Sequence, residues 1–236
     1  MCGRYTLVRG DKIKTVFNVT VAADLRLVGR YNIAPSQLAP VITNQSAQLQ
    51  LFKWGLIPSW AKDPKIAFKM INARAETLAE KPAFRAALKR RRCVIPADGF
   101  YEWRADSAGK KTPVYIQRTD EEIFAFAGLW DTWHEPQGGE VSTFAIITTT
   151  ANALIRPIHD RMPVILPQEG VTAWLTAGEL TAPEAVAWLK PYPAEAMKLH
   201  AVSPLVNSAR NEGSELVAPV SERAAPQEEV PPGLFG

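Results

Sequence analysis

The stretch Val94-Ile95-Pro96-Ala97-Asp98-Gly99-Phe100-Tyr101-Glu102-Trp103 decides the fold class of this sequence. Its β-branched and aromatic residues favour a β-strand. Three segments of similar composition follow it, at residues 113–117, 123–130 and 143–149. Gly109 and the pair Gly138-Gly139 lie between these segments and predict turns. The middle of the chain is therefore predicted to be mainly β-sheet.

The remaining strands are predicted to be short. Residues 41–43 and 49–54 alternate well enough for a hairpin around Asn44-Gln45-Ser46, and residues 164–166 form another strand. Residues 57–70 are expected to be irregular. The segment Gly29-Arg30-Tyr31-Asn32-Ile33-Ala34-Pro35 is predicted to be a loop, because Pro35 biases the preceding residue away from helix.

Helices are predicted to be few. Residues 76–92 are the best candidate, with an apolar stripe and Pro82 at the start of the regular part. The basic run Lys89-Arg90-Arg91-Arg92 ends this helix, where cations interact favourably with the dipole, and contact with nucleic acid is the second interpretation. Shorter helices are predicted at residues 11–17, 171–176 and 183–189.

This mixture of strands and helices, without regular βαβ alternation, predicts an α+β fold. The length of 236 residues suits one large domain or two small ones, and the hydrophobic content of 47% is ample for a core. We expect a single domain over residues 1–222. The Ala/Pro/Glu-rich tail at residues 223–236 is predicted to be disordered.

The composition excludes several classes of protein. No apolar run of 18 residues and no basic segment followed by an apolar one is present, so we expect neither a transmembrane helix nor a secretory signal. The two cysteines, Cys2 and Cys93, form no CxxC or Cys/His cluster, which argues against a disulfide framework or structural zinc and predicts a reducing cytosol. Cys93 is predicted to be a buried strand residue. GxGxxG and P-loop patterns are absent, and the net charge of +3 permits a polyanion partner without requiring one.

The first residues, Met1-Cys2-Gly3-Arg4, offer an unusual pair of nucleophiles. We expect Met1 to be removed, which leaves Cys2 with a free α-amine and a thiol on adjacent carbons. The amine, with a pKa of about 7.7–8.0, condenses with an aldehyde to an imine, and the thiol then closes a thiazolidine ring. Arg4 is expected to lower the pKa of that thiol. The alternative is that Cys2 is a buried residue at the start of an edge strand.

Polar residues at three other places suggest chemistry, and each has a structural alternative. Asn72 either serves a reaction or caps the following helix. Glu102 either serves as an acid or base or turns towards solvent between two aromatic residues. His159 is either a catalyst or a structural histidine, and Asp160 beside it is a candidate salt-bridge partner of Arg161.

Six segments taken together resemble the SOS response-associated peptidase (SRAP) family. They are Met1-Cys2-Gly3-Arg4-Tyr5, Gly29-Arg30-Tyr31-Asn32-Ile33-Ala34-Pro35, Trp54-Gly55-Leu56-Ile57-Pro58-Ser59-Trp60, Ile71-Asn72-Ala73-Arg74-Ala75-Glu76, Cys93-Val94-Ile95-Pro96-Ala97-Asp98-Gly99-Phe100-Tyr101-Glu102-Trp103 and Ile158-His159-Asp160-Arg161-Met162-Pro163. They occur in the family's order, and residues 207–216 resemble its closing segment. The resemblance implies the SRAP fold, an α+β domain with a mixed, mostly antiparallel, barrel-like core and peripheral helices.

The resemblance also implies a protein that crosslinks itself to abasic sites in single-stranded DNA and so shields the lesion in the DNA damage response. The ring-opened abasic sugar is an aldehyde, which the aminothiol of Cys2 traps by Schiff-base, lyase-type chemistry. Asn72 matches the amide that holds the sugar and the N-terminus. Glu102 matches the carboxylate that moves protons, and His159 matches the histidine that assists sugar ring opening and crosslink reversal.

The same resemblance implies a set of DNA-binding residues. Arg74 and Arg161 match the arginines that hold phosphates beside the lesion, and Arg4 is expected to join them. Trp60 is expected to stack on a flanking base, and Pro35 lies where the family blocks continued duplex. The chain departs from several relatives at Ala61, where they carry a second aromatic residue, so whether Phe68 substitutes for it is left open.

Other functions stay open at this stage. An N-terminal-nucleophile cysteine amidohydrolase would use the Cys2 amine as base and its thiol as nucleophile. A DNA-binding module without a covalent step is the other alternative. The family name also suggests peptidase activity on the Met1–Cys2 bond itself, whereas proteolysis of other proteins has no support in the sequence. We expect no cofactor, no metal, no membrane partner, and a monomer in the bacterial cytoplasm in association with the nucleoid.

Overall fold

The computed structural model describes residues 2–176 and 178–220, so Met1 and the predicted tail at 223–236 lie outside the described residues. The strands are β1 Tyr5–Leu7, β2 Arg30–Ile33, β3 Leu38–Thr43, β4 Ser46–Trp54, β5 Asn72–Arg74, β6 Arg92–Ala97, β7 Gly99–Ala105, β8 Lys111–Arg118, β9 Phe124–His134, β10 Glu140–Thr150, β11 Arg161–Pro163, β12 Ile165–Leu166 and β13 Met197–Ala201. The α-helices are α1 Ile13–Phe17, α2 Pro82–Arg90, α3 Gln168–Leu175 and α4 Ala182–Val186. Short 3-10 helices span Gly10–Lys12, Pro64–Lys69, Ala75–Thr77, Ala194–Ala196, Pro204–Asn207 and Ser214–Leu216. The predicted α+β class is confirmed.

Five strands close into a ring. β3 pairs with β4 and β6, β9 pairs with β6 and β10, and β10 pairs in parallel with β4. β5 and β11 extend this sheet from the far half of β10, and β12 extends it from β9. The second sheet has the order β13-β8-β7-β1-β2 and is antiparallel throughout. The predicted mixed, mostly antiparallel, barrel-like core is therefore confirmed.

The predicted strand at 94–103 is two strands, one in each sheet. The chain leaves the ring at the end of β6 and enters the second sheet with β7, and Asp98 lies at the corner. The buried carboxylate of Asp98 accepts hydrogen bonds from the Thr6 hydroxyl and from the backbone amides of Val8 and Arg9. A Cβ atom on Gly99 would lie 2.1 Å from the Tyr115 hydroxyl, so only glycine fits beside this corner.

Arg92 fixes the ends of two helices. Its side chain is fully buried, which explains why the basic run ends in the core rather than at the surface. The guanidinium donates hydrogen bonds to carbonyl oxygens at the end of α2, in the last turn of α3 and just after α3: Leu88, Lys89, Trp174, Thr176 and Gly178. Because the last carbonyls of a helix have no partner within it, the predicted role of this run in helix stabilisation is confirmed for Arg92.

The predicted loop at residues 29–35 is wrong over Arg30–Ile33, which forms β2. Long-range pairing overrides the local signal, since Ile33 is in register with Tyr5 of β1 and the Glu212 carboxylate accepts from the amide of Tyr31. The predicted hairpin is confirmed, and so are α2 from Pro82 and the buried position of Cys93. Within the described residues, no helix combines the length and apolarity needed to cross a bilayer.

Candidate active site

Cys2 lies three residues before β1 and has no exposed surface. The buried position that sequence reasoning offered as an alternative is therefore confirmed, but the edge-strand part of that interpretation is wrong. β1 pairs with β7 on one side and with β2 on the other. The N-terminal segment thus enters the core between two strands, which holds Cys2 in a defined place.

Asn72 holds the backbone of Cys2. It is the first residue of β5, in register with Ile146 of β10, so the helix-cap interpretation is wrong. Its Nδ2 donates a hydrogen bond of 2.8 Å to the carbonyl oxygen of Cys2. Its Oδ1 is buried and has no hydrogen-bond partner among the described residues. One half of the amide therefore fixes Cys2, and the other half remains available as an acceptor.

Glu102 lies on β7 with only 4% of its surface exposed, so the solvent-facing interpretation is wrong. Strand alternation fails here because Gly99, Phe100, Tyr101 and Glu102 are all buried, which means that both faces of β7 are covered. Burial raises the pKa of Glu102, and the positive form of His159 opposes that shift. A carboxyl group with a raised pKa exchanges its proton more readily near neutral pH.

The Cys2 thiol is held in its neutral form. Burial raises its pKa, and the negative charge of Glu102 raises it further. The backbone of Arg4 lowers the pKa of this thiol by a hydrogen bond, but burial outweighs that influence. A base must therefore take the proton before the sulfur attacks, and Glu102 lies within electrostatic reach.

His159 lies in the turn between β10 and β11, where its amide donates to the carbonyl of Ile155 at 3.0 Å. Its Nδ1 accepts from the amide of Arg161 at 3.0 Å, which places the proton of the neutral ring on Nε2. The Asp160 carboxylate lies 2.7 Å from Nδ1. The suggested Asp160–Arg161 pair is therefore wrong, since Asp160 pairs with His159.

The guanidinium of Arg161 is already engaged. It forms two hydrogen bonds to the Glu76 carboxylate, of 2.7 and 2.9 Å, and one of 2.6 Å to the carbonyl of Thr148. Only 11% of its side chain is exposed. Arg74 differs, because its side chain is exposed and makes no hydrogen bond or ion pair among the described residues. Of the two predicted phosphate ligands, Arg74 is the one that offers all its donors.

Arg4 ties the N-terminal segment to the end of the domain. Its guanidinium donates to Asn32 Oδ1 and to the carbonyl of Val206, each at 2.7 Å. Burial lowers its pKa. Asn32, which sequence reasoning left without a role, is fully buried and donates to the carbonyls of Ser208 and Asn211. Asn32 lies in the segment at residues 29–35, one of the six that carry the family resemblance, and this position is the sequence feature that could have identified it.

The predicted stacking residue Trp60 has 60% of its surface exposed, and Phe68 has 70% exposed. Three exposed lysines, Lys62, Lys65 and Lys69, line a hollow of about 330 Å³ together with Trp60. Ala61 is buried and offers no surface for stacking. Pro35 is half-buried in the turn that ends β2. No cluster of three or more His, Cys, Asp or Glu side chains arranged for a metal occurs in the part of the chain that the structure describes.

Residues 1–209 match the family described as SOS response associated peptidase (SRAP). The protein named abasic site processing protein YoqW, from Bacillus subtilis, is 46% identical over 92% of this chain and 99% of its own length. Abasic site processing protein HMCES from Xenopus tropicalis is 34% identical over 80% of this chain and 66% of its own length. A crystal structure of a protein from Bacteroides thetaiotaomicron superposes with a TM-score of 0.83 at 33% identity, over 93% of this chain and all of that one.

Proposed function

The chain belongs to the SOS response associated peptidase family, and from that membership we propose that it processes abasic sites in single-stranded DNA through a covalent crosslink to Cys2. The names of its relatives, abasic site processing proteins, support the substrate. The observation that carries the chemistry is the hydrogen bond of Asn72 to the carbonyl of Cys2, beside a buried carboxyl group at Glu102. A nucleophile, its anchor and a proton carrier thus lie together.

The proposed reaction has two bond-forming steps. The Cys2 α-amine adds to the C1 aldehyde of the ring-opened sugar, and loss of water gives the imine. The Cys2 sulfur then bonds to C1, the π electrons of the C=N bond move to nitrogen, and that nitrogen takes up a proton. The product is a five-membered thiazolidine. Because an imine permits β-elimination and strand cleavage, capture by sulfur protects the DNA strand.

The side chains around Cys2 supply the proton transfers. Glu102 takes the thiol proton and delivers it to nitrogen, since burial holds its pKa above the ordinary value. His159 Nε2 carries a proton that it donates to the sugar ring oxygen during opening. Asn72 Oδ1 accepts from the amine or from a sugar hydroxyl. Each proton transfer of this kind contributes about 10²–10⁴-fold to the rate.

Recognition of the lesion uses the DNA backbone and the flanking bases. A missing base offers nothing to hydrogen-bond, so affinity comes from phosphates and from stacking. Arg74 is exposed and suits a phosphate, and exposed Trp60 suits a flanking base. Pro35 is proposed to block continued duplex, and Arg4 and Arg161 are proposed to contact phosphates while they hold their protein partners.

The proposal requires that Met1 is lost before Cys2 reacts, because the amine of Cys2 is otherwise an amide. We propose that the protein itself hydrolyses the Met1–Cys2 bond, with the Cys2 thiol and Glu102 as the reacting groups. Protein made without methionine aminopeptidase activity should lack Met1 in the wild type and retain it in Glu102→Gln, as read by intact mass. Retention of Met1 in both would contradict self-removal and leave the crosslinking proposal intact.

A denaturing gel of protein mixed with uracil-excised single-stranded DNA tests the proposed crosslink. Wild type should give a slowly migrating band without any reductant. Cys2→Ala, with Met1 removed by methionine aminopeptidase, has a free amine at residue 2 and lacks the thiol, so its band should appear only after borohydride reduces the imine. Cys93→Ala is the matched control, since Cys93 is the other buried cysteine and should be dispensable.

Two outcomes would contradict the proposed function. A wild-type protein that carries Cys2 at its N-terminus and gives no band would exclude the covalent step. A band that persists in Cys2→Ala without borohydride would exclude the thiol. In contrast, labelling of Cys2 by a glutamine analogue without reaction towards abasic DNA would favour the amidohydrolase.

A further inference from the structure

Trp60 lies at the tip of a β-turn whose backbone is held by side chains from β9 and β10. The turn spans residues 58–61 and is closed by a hydrogen bond of 2.8 Å from the amide of Ala61 to the carbonyl of Pro58. Ser59 and Trp60 are exposed at the tip, whereas Pro58 and Ala61 are buried. The proposed function uses the indole of Trp60 and gives no role to the contacts that hold this turn.

Two polar side chains hold the backbone before Trp60. The hydroxyl oxygen of Thr143 accepts from the amide of Ile57 at 2.8 Å, and the carboxylate of Asp131 accepts from the amide of Ser59 at 3.0 Å. Thr143 and Asp131 are both buried. Because a hydrogen bond from a backbone amide to a carboxylate is stronger than one between neutral groups, the position of Ser59 is well defined.

A third side chain holds the backbone after Trp60. The indole nitrogen of Trp133, which is buried, donates to the carbonyl of Ala61 at 2.7 Å. Trp133 also packs with Ile57 and Ala61 in a small apolar cluster. The residues at positions 57, 59 and 61 are therefore each bonded to β9 or β10, while the side chain of Trp60 between them is left to solvent.

The three side chains that hold the turn share one face of the β9–β10 pair. Asp131 and Trp133 are two residues apart on β9, and Thr143 on β10 is in register with Asp131. Side chains two positions apart on a strand point to the same face, and so do those of directly paired residues. The guanidinium of Arg91, just after α2, donates to the Asp131 carboxylate at 3.3 Å and helps to fix it.

We infer that Thr143, Asp131 and Trp133 are positioning residues, which fix the turn so that the indole of Trp60 is oriented for stacking before DNA arrives. This inference rests on the proposed function. Because the turn is already ordered, binding does not have to order it, and less affinity is lost to the conformational entropy of the backbone. The three residues act through Trp60 and not through contacts of their own with DNA.

The test removes single hydrogen bonds that hold the turn. Trp133→Phe deletes the indole N–H that binds Ala61, and Thr143→Val deletes the acceptor for Ile57 at nearly constant size. Each variant should bind an undamaged single strand about fivefold more weakly, the equivalent of one hydrogen bond. Fluorescence anisotropy measures this affinity, and thermal unfolding shows that each variant is folded.

Combination with Trp60→Ala separates positioning from a general loss of structure. If the side chains act through Trp60, Trp133→Phe should weaken binding when Trp60 is present and have no further effect in Trp60→Ala. Thr143→Val should behave in the same way. Additive losses, in which either change weakens binding by the same factor with and without Trp60, would overturn the inference.

Two substitutions that remove comparable groups elsewhere serve as matched controls. Thr132→Val alters a hydroxyl on the opposite face of β9, which lies 3.1 Å from Ser142 Oγ. Trp174→Phe removes an indole N–H that donates to the carbonyl of Cys93 in the core. Both controls should leave the affinity for single-stranded DNA unchanged, even where they lower the melting temperature.

The measurements separate a failure of this inference from a failure of the proposed function. An undamaged strand offers no aldehyde, so its affinity reports on noncovalent binding. A wild type that binds this strand and does not crosslink abasic DNA would refute the proposed covalent step, while the affinities would still decide the role of the three residues. Equal affinities for wild type, Trp133→Phe and Thr143→Val, or for wild type and Trp60→Ala, would overturn the inference.

Discussion

The side-chain amide of Asn72 donates a hydrogen bond of 2.8 Å to the backbone carbonyl of Cys2. These residues are 70 positions apart, and the bond joins the segment before β1 to the strand β5 on the other sheet. It places the residue proposed to react without using its amine or its thiol. The anchor is therefore compatible with the proposed chemistry at every step.

Substitution of Asn72 by Asp should test this anchor. The change keeps the size of the side chain and replaces the donor by an acceptor, which repels the carbonyl of Cys2. We expect crosslinking to slow by about fivefold or more, since a hydrogen bond contributes about 1 kcal/mol. Single-turnover gel assays with abasic single-stranded DNA measure the rate. An unchanged rate would show that the bond seen to Cys2 has no part in the reaction.

Glu102→Gln should separate catalysis from stability. Burial raises the pKa of Glu102, so the native state binds more protons than the unfolded chain between the ordinary and the raised pKa. Stability therefore falls as the pH rises through this window. The variant has no carboxylate to ionise, so it avoids this loss of stability. The melting temperature of the variant should exceed that of wild type by a larger margin at pH 7 than at pH 4.

The same variant should crosslink about 10²–10⁴-fold more slowly, because glutamine carries no exchangeable acid proton. Thermal unfolding at both pH values and single-turnover crosslinking at pH 7 give the two readouts. Equal gains in melting temperature at the two pH values would mean that the Glu102 carboxyl is not responsible for the pH dependence.

Composition predicted most strands and the α+β class, because β-branched and aromatic residues are concentrated in long segments. Where the prediction was wrong, a distant partner determined the structure. The segment Arg30–Ile33 was predicted to be a loop because Pro35 follows it, but it forms a strand that pairs with β1. Residues 94–103 were predicted to form one strand. Instead the chain turns at Asp98, whose carboxylate accepts hydrogen bonds from backbone amides about 90 positions away in the sequence. Neither the pairing of β2 with β1 nor the hydrogen bonds to Asp98 can be predicted from the neighbouring residues in the sequence.

For the candidate site too, local patterns were a poor guide to which residues lie together. The resemblance placed Cys2, Asn72, Glu102 and His159 together, and their separate patterns did not. The alternation of side chains along a strand predicted an exposed Glu102, because it assumes that one face of the strand contacts solvent. Both faces of β7 are covered at this position.

The two predicted phosphate ligands should behave differently when replaced by alanine. Arg74 is exposed and unpaired in the described part of the chain, so Arg74→Ala should leave the melting temperature unchanged. It should lower the slope of log affinity against log salt by about 0.7, the value for one phosphate contact on a single strand. Fluorescence anisotropy on an uncrosslinkable single strand between low and high salt measures this slope.

Arg161→Ala should destabilise the fold, because it removes both hydrogen bonds to Glu76 and the one to Thr148. The hydrogen bond from Arg161 lowers the pKa of Glu76, so this stability is present above the ordinary pKa of glutamate and is lost as the pH falls through the lowered value. The deficit in melting temperature should therefore shrink in acid. A constant deficit would mean that the ion pair contributes little.

Trp60 and Phe68 should both stack on DNA bases. Phe68 belongs to the 3-10 helix Pro64–Lys69, which begins where the Asp63 side chain accepts from the amide of Lys65. This cap orders the segment that carries Phe68, and we expect the exposed lysines of the segment to attract phosphates. Phe68 is thus the candidate for the aromatic contact that buried Ala61 does not provide.

Trp60→Ala and Phe68→Ala should each weaken binding of a single strand by about 1–3 kcal/mol, the range for one base stacked on an aromatic side chain. Leu51→Ala is the control, since Leu51 is an exposed apolar residue on β4 outside this segment, with 42% of its surface exposed. Anisotropy titrations with an oligonucleotide that lacks an abasic site measure affinity without crosslinking. A normal affinity for Phe68→Ala beside a weakened Trp60→Ala would leave the chain with one stacking residue, and Phe68 would then be no substitute for the aromatic residue that relatives carry after Trp60.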